Sequence, residues 1–180
     1  MQDELLIRRA QRGDADAFEQ LLLEHQKNVY NLCYRMAGNP DDAMDLSQET
    51  FLRAWRCLDQ YQFASAFSTW LYRLCSNICI DFLRRRRRQQ TVPLTFEDAD
   101  GEEQTYAVPD VQPLPEEQVE LKLTRETLAA AMAQLLPEHR AVLQLRVVNE
   151  MSYEQIADVL DIQIGTVKSR LSRARNQLKK

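Results

Sequence analysis

Apolar residues recur along most of this chain at spacings of three and four, the period of a helix with one buried face, and breaks in that period mark helix ends. Leu5, Leu6, Ile7 and Ala10 predict a short first helix ending near Gly13. Phe18, Leu21, Leu22, Val29, Leu32, Cys33 and Met36 predict a longer second helix, stopped by Gly38-Asn39-Pro40. Asp41 and Asp42 open a third, where carboxylates suit the positive end of the helix dipole. Along it Ala43, Leu46, Thr50 and Ala54 face one way, while Asp45, Gln48, Glu49, Leu52 and Arg56 share a mixed polar stripe. After a loop at residues 59–68, a fourth helix is expected from Thr69 to Arg84. Leu71, Leu74, Cys75, Ile78 and Phe82 form its core stripe, and Arg73, Ser76, Asn77, Ile80 and Arg84 are expected on the far side.

The second half resumes the same period after an interruption. Residues 89–117 hold Pro93, Pro109, Pro113, Pro115 and Gly101, a composition that predicts an extended linker. Val119, Leu121, Leu123, Leu128, Met132 and Leu135 predict a helix over residues 118–136, and Pro137 starts another through Val148, with Ala141, Val142, Leu145 and Val148 inward. Ser152 followed by Gln155 has the spacing of a capping box, with Met151 placed to staple onto Ile156. Ile156, Ala157, Val159 and Leu160 then give a short amphipathic helix. Asp161 to Gly165 breaks the pattern, and Asp161 stands where positive φ is tolerated. From Thr166 a last helix carries Val167, Leu171, Ala174 and Leu178 on one side. The expected fold is all-α, two small helical domains at residues 1–88 and 118–180 joined by the extended segment 89–117.

Charge sharpens this outline. The net charge of the 180-residue chain is −4, but its distribution says more than its sum. Arg84 to Arg88 is an unbroken basic run, residues 165–180 hold six basic and no acidic side chains, and residues 91–120 hold nine acids and no Lys or Arg. No apolar run approaches the roughly 18 residues of a membrane span, and the N-terminus has no signal-peptide core. The expectation is a cytoplasmic protein without direct membrane insertion. Cys33, Cys57, Cys75 and Cys79 form no Cys-x-x-Cys pair, and cysteines on apolar stripes read first as core. A metal site joining Cys75 and Cys79 to His25 or His139 is the sharper alternative, and the expectation is no metal and no cofactor. Neither a Ser-His-Asp order nor a phosphate loop appears, so no enzyme and no small-molecule substrate are expected.

Two short helices joined by a tight turn, the second basic, form the pattern of a helix-turn-helix. The same arginines would also suit a merely solvated helix face. Lys168, Ser169, Ser172 and Arg173 are spaced to face base edges in a major groove, where Arg reads guanine with two hydrogen bonds. Thr166, Arg170 and Arg175 are better placed for phosphates, which position the helix without reading sequence. Phe63, Phe67, Trp70 and Tyr72 crowd the start of the fourth helix beside its arginines, an arrangement suited to stacking single-stranded bases and equally to an ordinary core.

Three motifs occur in order: Asp45-Leu-Ser-Gln-Glu-Thr-Phe-Leu-Arg-Ala-Trp55; Phe67-Ser-Thr-Trp-Leu-Tyr-Arg73 with Asn77 and Asp81; and Gly165-Thr-Val-Lys-Ser-Arg-Leu-Ser-Arg-Ala-Arg175. Together they resemble a bacterial sigma factor of the compact extracytoplasmic-function group, over nearly the whole chain outside residues 89–117. The resemblance implies that residues 1–88 are sigma region 2 and residues 118–180 sigma region 4. Asp45, Gln48, Glu49, Leu52 and Trp55 would meet core RNA polymerase, at the β′ clamp helices. Phe63, Phe67, Ser68, Trp70, Arg73, Asn77, Arg84 and Arg85 would recognise and melt the −10 promoter element, while Thr166, Lys168, Ser169, Arg170, Ser172, Arg173 and Arg175 would bind the −35 element. The β subunit and an anti-sigma factor are further implied partners. The acids of the linker, among them Asp98, Asp100, Glu102 and Glu103, read first as mere solvation of an extended segment; the resemblance implies instead that they would run through polymerase channels that otherwise hold nucleic acid. One departure stands out: the loop before Phe67 reads Gln62-Phe-Ala-Ser-Ala, where relatives often carry Gly-Asp. The rival reading is a free-standing helix-turn-helix regulator with a ligand-sensing N-terminal half, which needs no polymerase face.

Overall fold

The computed structural model describes residues 2–91 and 127–179, and the linker readings at 92–117 and the helix expected at 118–126 lie outside the described residues. Four helices build the first unit: α1 (Gln2–Ala10), α2 (Ala15–Ala37), α3 (Pro40–Cys57) and α4 (Phe67–Thr91). Four build the second: α5 (helical residues 127–134), α6 (Pro137–Val147), α7 (Tyr153–Leu160) and α8 (Ile164–Leu178). Among the described residues there is no strand.

Local chemistry explains most boundaries. Asp14 caps α2 by accepting from the Ala17 N–H, and Gly38 ends that helix at φ 88, a left-handed turn that costs glycine nothing sterically. Asn39 caps α3 by accepting from Asp42 N–H, with Pro40 in its first turn. The Ser152 and Gln155 side chains satisfy each other's backbone N–H groups in a complete capping box, and Asp161 closes α7 in the left-handed region at φ 53. The short connection from Asp161 to Gln163 then delivers α8, as a helix-turn-helix requires.

In the first unit, α2 packs against α1, α3 and α4, and α3 against α4. Leu21, Val29, Leu32, Met36, Ala43, Leu46, Phe51, Ala54, Leu58 and Leu71 are buried between them. Leu5 of α1 is exposed, because Leu6, Ile7 and Ala10 occupy the face against α2. In the second unit α8 packs on α6 and α7, burying Val142, Leu145, Ile156, Val159, Val167, Leu171 and Ala174. Val148, placed inward from its spacing, is 37% exposed because α6 ends at Val147 and the chain turns away.

The two units touch. α6 lies against α2 and α4, and α7 against α4. This changes the reading of α4. Ser76 and Ile80, expected on its outward side, are 1% and 7% exposed, because α6 and α7 cover that side. The helix also begins at Phe67 rather than Thr69 and runs through all five arginines to Thr91. At the seam, Arg140 of α6 is buried and donates to the Met36 carbonyl at the C-terminal end of α2, 2.6 Å away. Arg73 donates to the Asp158 carbonyl of α7, and Arg84 Nε donates to Glu138 Oε1 at 2.8 Å. Buried Arg73 Nε and Arg140 Nε have no partner among the described residues. Each such orphan costs roughly 1–3 kcal/mol, so the seam is a weaker junction than either core.

Burial pushes the Glu138 carboxyl up, but backbone N–H at the start of α6 and the Arg84 guanidinium outweigh it and hold the group below its ordinary 4.5. His139 is held below its ordinary 6.5, by burial first and then by the charges of Arg170 and Arg173. Both folded-state values are depressed, so both contributions are present at neutral pH and are lost as pH falls. Stability is therefore expected to fall with pH in two stages, the first setting in below the ordinary 6.5 of histidine and the second below the ordinary 4.5 of glutamate, each completed as the pH passes the lower folded-state value. Acid titration of ellipticity should show both, with the first missing in His139→Gln. A wild-type curve flat between 6.5 and 4.5 contradicts the downward shift assigned to His139.

Candidate nucleic-acid and partner interfaces

Three surfaces collect the residues singled out from the sequence. The first is an apolar groove of about 560 Å³ between α2 and α3. Phe18 and Leu22 form its α2 wall, and Met44, Phe51, Leu52 and Trp55 its α3 wall, with Gln48 at the edge. The Phe18 and Trp55 rings meet at 4.9 Å. Met44, Leu52 and Trp55 are 51%, 52% and 39% exposed, an uncovered apolar stripe of the kind that marks a binding site. Asp45 and Glu49 are exposed one position along from Met44 and Gln48, so carboxylates border the stripe. The buried side of α3 holds Ala43, Leu46, Thr50 and Ala54, the division expected from the sequence. Phe18, Leu22, Met44 and Phe51 join the groove without being among the contacts that the three sequence motifs imply. Their apolar spacing was visible, but only the approach of α2 to α3 turns it into a groove.

The second surface surrounds the loop before α4. Tyr61, Phe63, Phe67 and Trp70 form one aromatic cluster, with Tyr61 4.9 Å from Phe63, 5.7 Å from Phe67 and 5.3 Å from Trp70. Gln11 Nε2 donates to the carbonyls of Leu58 and Tyr61, both at 2.9 Å, and the Tyr61 hydroxyl donates to the Ser65 carbonyl at 2.6 Å. These bonds hold Phe63 at φ 59, a conformation that is strained for an aromatic residue. The Arg8 guanidinium sits 4.7 Å over its ring. Phe67 is 5% exposed and is a wall of the core, whereas Phe63, Ser68 and Trp70 are half-buried. Asn77, Arg84 and Arg85 are exposed on α4, and Arg73 is half-buried under α7. Arg73 and Arg84 are thus engaged by the second unit, and this face is only partly open.

The third surface is the outer side of α8. Lys168, Ser169, Ser172, Arg173 and Arg175 are exposed opposite Val167, Leu171 and Ala174, and Thr166 and Arg170 are half-buried. Ser169 donates its hydroxyl to the Thr166 carbonyl at 3.0 Å, leaving its oxygen as an acceptor. Lys168 Nζ lies 6.0 Å from the Tyr153 ring centroid. Among the described residues no carboxylate lies within ion-pair distance of Lys168, Arg173 or Arg175, so their charge is offered outward. The fields of Arg170 and Arg173 reach His139 inside the unit. No His joins Cys75 and Cys79; Cys33 does, and His25 lies instead near Asp3 and Glu24.

Comparison with known proteins matches residues 21–89 to "Sigma-70 region 2" and residues 125–178 to "Sigma-70, region 4". The ECF RNA polymerase sigma factor SigW of Bacillus subtilis is 33% identical over 97% of this chain and 93% of that protein. The RNA polymerase sigma-H factor of Pseudomonas aeruginosa is 37% identical over 99% of this chain and 93% of that protein. Among solved structures, CnrH in complex with the cytosolic domain of CnrY matches with a TM-score of 0.68 at 26% identity, covering 99% of this chain and 96% of that one. RpoE in complex with the anti-sigma factor NepR from Bartonella quintana matches with a TM-score of 0.62 at 27% identity, covering 90% and 94%. Two sigma regions in order, nearly full-length likeness and a helix-turn-helix with its basic face outward converge on one conclusion: the chain belongs to the ECF group of the sigma-70 family and is a promoter-directing transcription initiation factor.

Proposed function

We propose that the two helical units divide promoter recognition between them, residues 1–88 engaging core RNA polymerase and the −10 element, residues 118–180 reading the −35 element, and residues 89–117 joining them. What carries the reading is that one chain of this family presents both an exposed apolar groove with acidic borders and a helix face whose Lys168, Arg173 and Arg175 form no ion pair among the described residues. The groove suits an apolar stripe on a partner helix, with Asp45 and Glu49 meeting basic residues beside it. Asp45, Gln48, Glu49, Leu52 and Trp55 are therefore assigned to the β′ clamp helices of the polymerase. This face has no purpose in a free-standing regulator, and the family membership leaves no role for a ligand-sensing half.

The aromatic cluster at Phe63 and Trp70, with Ser68, Arg73, Asn77, Arg84 and Arg85, is assigned to the −10 element, where unstacked bases meet rings and cations. Phe67 supports that surface from the core. Thr166, Lys168, Ser169, Arg170, Ser172, Arg173 and Arg175 are assigned to the −35 element, with Arg173 reading a base edge. Because Arg73 and Arg84 bond to α7 and α6, full use of the −10 face requires the second unit to move off α4. CnrH and RpoE were solved with CnrY and the anti-sigma factor NepR, which supports an anti-sigma partner for this chain also. Among the described residues no helix is long and apolar enough to cross a membrane, in keeping with a cytoplasmic site of action.

Reconstituted transcription tests the assignment. Glu49→Lys should abolish assembly with core polymerase and promoter-directed run-off transcript while leaving ellipticity unchanged, since Glu49 is exposed. Assembly at wild-type strength removes the groove from the scheme. Arg173→Ala should weaken discrimination at one −35 base pair by about 1–3 kcal/mol if its contact is bidentate; an unaltered preference across a promoter library shows that another face reads the element. Glu138→Lys should favour release of α6 from α4 and raise affinity for a single-stranded −10 oligonucleotide by roughly two- to fivefold, the range of an exposed ion pair. No gain means the seam does not restrain the −10 face.

A further inference from the structure

Promoter recognition makes no use of a group of sulfurs inside the first unit. Cys33 of α2 and Cys75 and Cys79 of α4 are fully buried. Spacing i, i+4 puts Cys75 and Cys79 on one face of α4, and α2 supplies Cys33 from across the core. Cys33 Sγ lies 3.5 Å from Cys75 Sγ and 3.9 Å from Cys79 Sγ, and all three sulfurs fall within 4.8 Å of one another. Cys57, at the end of α3, is half-buried and outside the group, which makes it an internal control.

Two chemistries are open to such a triangle, and distance separates them. A disulfide needs its sulfurs at roughly 2.05 Å. Closing the 3.5 Å gap would force about 1.5 Å of movement on a close-packed interior and would leave one thiol out. An atom holding three sulfurs with bonds of about 2.3 Å needs them about 4.0 Å apart if planar, and closer if pyramidal. Two sides of the triangle, 3.5 and 3.9 Å, already meet that demand, and the third lies within 4.8 Å.

Charge then selects among thiophiles. Among the described residues of the first unit the buried polar side chains are Ser47, Thr50 and Ser76, none of them a cation. Half-buried Arg73 and, from α6, buried Arg140 donate to the Asp158 and Met36 carbonyls rather than to the sulfurs. A net negative centre there would be uncompensated and costly. Three thiolates around copper(I) carry two negative charges and around zinc one. Zinc also asks for a fourth ligand. The neighbouring Thr50 hydroxyl donates to the Leu46 carbonyl at 2.7 Å and is no thiolate. A trivalent, three-coordinate thiophile leaves no charge. With arsenite, As(OH)3 and three Cys-SH give As(S-Cys)3 and three waters; three As–O bonds break, three As–S bonds form, the thiol protons leave in the water, and nothing is oxidised or reduced.

We propose that Cys33, Cys75 and Cys79 form a tris-thiolate site for a trivalent thiophilic ion of the arsenite class. Occupancy ties α2 to α4, the helix that carries the −10 face, and so couples this ion to the stability of the promoter-opening unit. Because the sulfurs are closed off from solvent, uptake proceeds through local opening of the bundle and is slow.

The reduced full-length chain incubated with sodium arsenite tests this. Native mass spectrometry should show one arsenic per chain, near-ultraviolet absorption should report As–S bonds, and the thermal midpoint should rise. Cys57→Ser should bind as the wild type does, and Cys33→Ala should lose more than roughly tenfold in affinity. Should Cys33→Ala fold poorly, the wild-type chain still decides: after arsenite loading and brief urea, iodoacetamide should modify Cys57 and spare the other three. Binding that appears only in urea, survives Cys33→Ala or is lost in Cys57→Ser overturns the site. Uptake of copper(I) or zinc but not arsenite overturns its charge selection.

Discussion

The constraint on which the structure turns is that α4 belongs to two cores at once. Leu71, Cys75, Ile78 and Cys79 are buried in the first unit, packed with α2 and α3. Ser76 and Ile80 are buried by α6 and α7 of the second. A helix that carries five consecutive arginines would be expected to show water a polar flank. Here that flank is occupied, so the chain holds its two helical units against one another.

The seam is built to hold and also to part. Arg140 is neutralised by no carboxylate among the described residues and relies on the Met36 carbonyl at the negative end of the α2 dipole. Burial and the nearby Arg86 charge push its guanidinium below its ordinary value. Arg84 and Glu138 form a half-exposed pair, whose worth is small in water. With two orphaned arginine nitrogens added, little of the association is driven by well-satisfied polar contacts. The apolar cores of the units, by contrast, are closed around fully buried Leu21, Met36, Leu71, Leu145 and Ile156. Opening is thus expected between the units rather than within them.

Function is placed on the rigid parts and strain on the loop. The α2–α3 groove proposed for polymerase and the α8 face are both helical surfaces, fixed by the residues packed behind them. The loop before α4 holds a phenylalanine in the left-handed region through bonds from Gln11 and Tyr61, where a glycine would sit freely. The Gln62-Phe-Ala-Ser-Ala sequence therefore has a structural consequence: its aromatic side chain is preset beside Tyr61 and under Arg8.

The sequence by itself determined the elements and the family. Helix ends at Gly38-Asn39-Pro40, Ser152–Gln155 and Asp161 were legible because caps and left-handed turns depend on residues a few positions apart. The buried stripe of α3 and the outward cations of α8 were legible because a helix converts spacing directly into faces. Tertiary structure alone decided which faces meet. Ser76 and Ile80 lie on the outward side of α4 by their spacing, yet are buried, because only the docking of α6 and α7 settles what covers that side. For the same reason Phe18 and Leu22 became a groove wall, and Cys33 came to touch two cysteines more than forty positions away. Spacing fixes direction within a helix; contact between helices depends on how their surfaces fit, and that is a property of the folded whole.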